Sequence, residues 1–84
     1  MEELVREFLT ERFGDMGGMD VDIETMPSGR VAGEIVWAGF AGQEHIERQR
    51  LVRAALKERF GAEAQLVGVL LAYTPAEVDH MAAA

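Results

Sequence analysis

The chain has 84 residues, 49% of them hydrophobic, which is enough for one small core, too little for a second domain, and too apolar for global disorder. It contains no cysteine, which removes disulfides, thiolate metal ligands and cysteine nucleophiles together. Eight basic against fifteen acidic side chains leave a net charge of −7, a field that opposes long-range attraction to nucleic acid and anionic lipid.

Residues 2–13 read as an amphipathic helix: Leu4, Val5, Phe8, Leu9 and Phe13 follow the 3.6 period, and Glu and Arg fill the other face. This acidic start is not a signal peptide. Gly14 is a helix stop, and Gly17-Gly18 gives a flexible link. Residues 19–25 alternate Met19, Val21 and Ile23 with Asp20, Asp22 and Glu24, a strand with one buried face. Pro27-Ser28-Gly29 is turn chemistry. A second strand, Arg30 to Ala38, carries Val31, Gly33, Ile35 and Trp37 on one side and completes a hairpin. Trp37 is expected in the core.

Gly39 to Gly42 is a tight connection into a helix from about Gln43 to Phe60. Leu51, Val52, Ala55, Leu56 and Phe60 share one side of that helix; Arg50, Arg53 and Lys57 share the other. Arg48 and Arg59 fall inside the apolar arc, so each either snorkels at a helix end or pairs with an acid such as Glu34. Gly61 ends the helix. Residues 64–73 form the most apolar strand, and the longest apolar run within it, Val67 to Tyr73, is too short to span a bilayer. Both of its faces are apolar, which predicts a central strand. Thr74-Pro75-Ala76-Glu77 opens a last helix as a capping box, and Ala82-Ala83-Ala84 reads as a frayed tail. The predicted class is α+β, in the order αββαβα, with a three-stranded sheet and helices packed on one face.

The charge is uneven. Residues 1–40 hold nine acids and three arginines, whereas residues 43–60 hold Glu44, Glu47 and Glu58 against Arg48, Arg50, Arg53, Lys57 and Arg59. Gly39-Phe40-Ala41-Gly42 matches the GxxG pattern with which KH domains clamp a nucleic-acid backbone, although here it directly follows a strand, as a simple strand-to-helix turn would. The candidate binding residues are therefore Gly39, Phe40, Gly42, Arg48, Arg50, Arg53 and Lys57. His45 and His80 are the only imidazoles and read as surface residues near helix ends. No metal, cofactor or catalytic constellation is expected.

Phe40-x-Gly42, Arg48-x-Arg50-Leu51-Val52 and Thr74-Pro75-x-Glu77, in this order of elements, resemble the BolA-like family, the stress-induced morphogens. The resemblance covers roughly residues 2–79 and implies a type II KH-like fold. It also implies either partnership with a monothiol glutaredoxin around a bridging iron–sulfur cluster, or nucleic-acid binding through the helix-turn region. The middle motif departs from the family's Arg-His-Arg, with Gln49 in place of histidine. The family's cluster-ligating histidine maps to Gln65 or Leu66, and its second ligand to the loop Met26–Arg30, where neither His nor Cys occurs. Clusters and soft metals need thiolate or imidazole donors, so iron–sulfur carriage is disfavoured. The expected function is that of a small cytoplasmic, non-enzymatic adaptor that binds a protein partner, glutaredoxin-like if the resemblance extends that far. Nucleic-acid binding through Gly39–Gly42 and the basic helix is the alternative, and no membrane partner is expected.

Overall fold

A computed structural model describes residues 1–83. Helix α1 (Glu2–Arg12) turns Val5 and Leu9 inward, with Phe13 extending the stripe just past its end. Residues four apart stack along one helix face, and Leu4, off that line, stays exposed. Strands β1 (Met19–Thr25) and β2 (Val31–Trp37) pair antiparallel around a turn. In that turn Gly29 N–H donates to the Met26 carbonyl and Met26 N–H to the Arg30 carbonyl. A 3-10 turn (Ala38–Phe40) leads to helix α2 (His45–Phe60). Gly61, at φ +60°, ends that helix as expected. Residues Gly61–Leu66 wind into a further 3-10 segment, so strand β3 (Val67–Tyr73) starts later than the apolar run suggests. Helix α3 (Pro75–Ala83) continues through Ala82 and Ala83, where a frayed tail was expected; Ala84 lies outside the described residues.

The sheet order is β1-β2-β3, with β2 and β3 parallel. The fold is thus the α+β, αββαβα arrangement with a three-stranded sheet. One expectation is corrected: β3 is an edge strand, and β2 is the central one. Its inward residues Val67, Leu70 and Ala72 fill the core, but outward Val69 and Leu71 face solvent instead of a second layer. Val31 pairs with Val67 but Gly33 with Leu70, so β3 carries an extra residue there. This bulge lets two residues three apart both point inward.

The core lies between one face of the sheet and α1 and α2, and the other face is not covered by them. An aromatic chain anchors one end: Trp37 meets Phe13 at 5.1 Å and Phe40 at 5.3 Å between ring centroids, both edge-on. The buried indole N–H donates to the Asp15 carbonyl at 3.0 Å, so Trp37 is core, as its position in the strand predicts.

Helix α1 also closes the outer edge of β1. Arg6 donates to the Ile23 carbonyl at 3.0 Å, and Glu2 accepts from Thr25 N–H at 2.8 Å and from its hydroxyl at 3.1 Å. Ile23 and Thr25 alternate along the strand and therefore share one edge. On the other side of β1, Gly33 lies against the chain so closely that a Cβ would fall on the Asp22 carbonyl oxygen and 2.7 Å from Ile23 Cα. Gly33→Ala must push two paired strands apart. It is expected to cost about 2 kcal/mol and lower Tm by about 10 °C, read from thermal unfolding.

Candidate functional site

The residues from Gly39 to Gly42 form a turn in which each has a different task. A side chain at Gly39 would collide with the Trp37 ring. Phe40 is 0% exposed and sits under that ring. Gly42 is exposed at φ +81° with open space around it, so it serves backbone conformation and not close packing. Gln43 N–H donates to the Phe40 carbonyl at 3.0 Å, closing the turn onto the helix. Helix α2 itself begins at His45, with Glu47 accepting from Glu44 N–H at 3.4 Å, so the two acids at its start have a structural task.

The five cations of α2 divide into two that donate within the chain, Arg48 and Arg53, and three that are exposed, Arg50, Lys57 and Arg59. Arg48 is 4% exposed. Its guanidinium forks onto Glu77, Nη1 to Oε1 at 2.6 Å and Nη2 to Oε2 at 3.1 Å. It also donates to the Gln43 and Ala72 carbonyls, each at 3.0 Å, and lies 5.8 Å from the Phe40 ring centroid. The acid that pairs with Arg48 is therefore Glu77 on α3, not one on the sheet such as Glu34. Arg59 instead lies exposed over the Phe60 ring, 4.9 Å from its centroid. Arg53 donates to the Val67 carbonyl at 2.6 Å and to the Gly68 carbonyl, and Gln49 donates to the Leu70 carbonyl at 2.7 Å. The carbonyls of Gly68, Leu70 and Ala72 alternate along β3 and share one edge. Arg48, Gln49 and Arg53 thus occupy the acceptors of an edge strand, a device that blocks strand addition. Arg50 and Lys57 are exposed to solvent, Lys57 beside Arg53 in the lining of one depression. The seven candidate residues accordingly do not form one surface: Phe40 and Arg48 are interior, Gly39 packs against Trp37, Arg53 is engaged with β3, and Gly42, Arg50 and Lys57 face solvent.

Glu77 closes the capping box anticipated from Thr74-Pro75-Ala76-Glu77. It accepts from Thr74 N–H at 2.8 Å, and its own N–H donates to the Thr74 hydroxyl at 3.1 Å. The hydrogen bond from Arg48, and after it the one from Thr74 N–H, hold its carboxyl down from an ordinary 4.5 to about 2. A carboxyl with a depressed folded-state pKa stabilises the fold above its unfolded value, and that contribution is lost as pH falls through the folded value. Glu77 therefore supports the fold above about pH 4.5 and progressively less down to about pH 2. Denaturant unfolding across this window is expected to show Glu77→Gln less stable than the parent at neutral pH. The two curves should converge near pH 2. Part of the acid slope should persist in the variant, because hydrogen bonds from Thr25 also lower the Glu2 carboxyl.

The positions that the resemblance assigns to metal ligands do come together. Val31 pairs with Val67, which brings the loop Met26–Arg30 and residues Gln65 and Leu66 to the same end of the sheet. The side chains there offer the Met26 thioether, the Ser28 hydroxyl and the Gln65 amide, and neither a thiolate nor an imidazole, so these residues do not fit an iron–sulfur cluster. Among the described residues no group of three or more His, Cys, Asp or Glu is placed to hold a metal ion. No helix among them is long and apolar enough to cross a membrane.

The outer face of the sheet was not singled out by sequence reasoning. The register sets Asp22 beside Glu34 and Glu34 beside Leu71, with Asp20, Val36 and Tyr73 in the next row. Acids thus line β1 and apolar side chains line β3. Val69 is 65% and Leu71 44% exposed. They border a shallow depression of about 280 Å³, also lined by Glu24, Met26, Ala32, Gly33 and Glu34. The signal lies in β3, whose two apolar faces predict central placement but in the fold leave Val69 and Leu71 exposed at an edge.

No family model matches the chain, and no curated protein matches it.

Proposed function

We propose that this protein is a BolA-like adaptor of the cytoplasm that acts by binding another protein and performs no catalysis of its own. The observation that carries the reading is the exposed apolar strip of Val69, Leu71 and Met26 on an uncovered sheet face. Contiguous exposed apolar surface bordered by charge is the usual mark of a protein-binding site. The BolA-like assignment rests on the motif resemblance and on an order of elements in keeping with it; a glutaredoxin-like partner rests on the resemblance alone. Nucleic-acid binding is the weaker reading. Two of the four helix cations it would use, Arg48 and Arg53, already donate within the chain. Arg50 and Lys57 remain to offset a net charge of −7.

The test is affinity capture from the native host, followed by titration of the recovered partner, purified, against the purified protein. Saturable binding is expected. Capture of nothing above background would sink the adaptor reading. Labelled single- and double-stranded oligonucleotides at two salt concentrations give the parallel test, with no binding expected even at low salt, where phosphate contacts are strongest.

A further inference from the structure

Both edges of the sheet are occupied. Glu2 and Arg6 engage Thr25 and Ile23 on β1, and Arg48, Gln49 and Arg53 engage the carbonyls of β3. A partner that adds a strand would have to displace these side chains. The outer face is the surface left open, and its pattern restricts what can lie on it. Two strand spacings separate β1 from β3, about 9.6 Å, which matches the roughly 10 Å diameter of an α-helix. A helix lying along β2 would rest on the small residues Ala32 and Gly33, with Glu34 on the same strand adding an acid beneath it. It would have Val69 and Leu71 on one flank and Asp22 and Glu24 on the other. The three strands contain no lysine, arginine or histidine. Arg30, in the turn, stands close, its Cβ 3.9 Å from where a Cβ on Gly68 would lie.

We infer that the outer face of the sheet is a docking site for an amphipathic helix of a partner protein, apolar along one side and rich in Lys or Arg along the other. The inference rests on the adaptor reading and specifies its surface and partner chemistry. The acids of β1 take the basic side and Val69 and Leu71 take the apolar side. A second copy of this chain is a poor occupant. A face-to-face pair would set acids against acids or bury them against the apolar strip of the other copy, and either arrangement is costly.

The probe is a synthetic helical peptide with leucine and lysine on opposite faces, titrated into the isotope-labelled protein and followed by amide chemical shifts. Saturable shifts are expected at Asp22, Glu24, Val69 and Leu71. A leucine–glutamate peptide of the same pattern should bind at least about tenfold more weakly. Leu71→Glu is exposed in the fold and should keep its circular dichroism, yet weaken lysine-peptide binding about tenfold. Asp22→Asn should reduce the salt dependence of binding, and Arg50→Glu on α2 should change neither. Shifts confined to α2, equal binding of the two peptides, unchanged binding by Leu71→Glu, or self-association through this face would each overturn the inference. Capture from the host separates it from the reading beneath it. A partner retained by Leu71→Glu removes this surface and leaves the adaptor, whereas no partner for the parent protein removes the adaptor itself.

Discussion

Phe40→Ala is expected to cost about 4 kcal/mol of stability. The side chain is wholly buried and stands edge-on to Trp37, with the Arg48 guanidinium 5.8 Å from its ring centroid. Neither neighbour can move into the space. Trp37 is held by Phe13 and by its bond to Asp15, and Arg48 by Glu77 and two carbonyls. A rigid surround leaves a cavity instead of collapsing, which adds a cavity cost to the lost burial. A domain of this size has a total stability of about 4–12 kcal/mol, so the variant should be partly unfolded at 37 °C, as thermal and urea unfolding will show. Gly42→Ala, two residues on, meets no neighbouring atom and strains only φ, for about 1 kcal/mol. The contrast separates two roles for the motif Phe40-x-Gly42. If Phe40→Ala kept its stability and lost only partner binding, Phe40 would be a recognition residue and the packing account would be wrong.

Arg48→Ala is expected to cost about 3 kcal/mol, because it leaves the Ala72 and Gln43 carbonyls without their donor and unties α3 from α2. Arg48→Lys should recover little, since one ammonium cannot reproduce the fork onto Glu77 while also reaching both carbonyls. Arg50→Ala, on the exposed side of the same helix, should lie within about 0.5 kcal/mol of the parent. Denaturant unfolding of the three variants checks the ordering. Equal effects of the Arg48 and Arg50 substitutions would mean that the Arg48 network contributes nothing net. Hydrogen exchange at α3 gives a second readout, with faster exchange expected there in both Arg48 variants and not in Arg50→Ala.

These pairs show what a residue's neighbours in sequence can and cannot say. Arg48 and Arg50 are two positions apart and chemically identical. The helical period places Arg48 in the apolar arc and Arg50 outside it, so the difference in burial is legible. The partner is not legible, because Glu77 lies 29 residues away and its approach depends on how α3 leaves β3. Gln49 reads from sequence as the loss of a histidine; in the fold its amide donates to the Leu70 carbonyl. Arg53 reads as part of a basic face; in the fold it is engaged with β3.

The sequence by itself determined the helices and strands, their order, the turn chemistry of Pro27-Ser28-Gly29, the capping box of Thr74 and Glu77, the inward sides of β1 and β2, and Val5, Leu9 and Phe13 of α1, though not the exposure of Leu4 or the 3-10 segment before β3. All of these follow from periodicity and local backbone preference, which act over a few residues. Only the tertiary structure decided that β3 is an edge strand, that α2 spends Arg48, Gln49 and Arg53 on it, and that its outward apolar residues lie across Glu34 from the acids of β1. Strand order and long-range pairing depend on which distant segments meet, and a strand with two apolar faces reads the same whether its outer face is covered by the chain's own helices or left open.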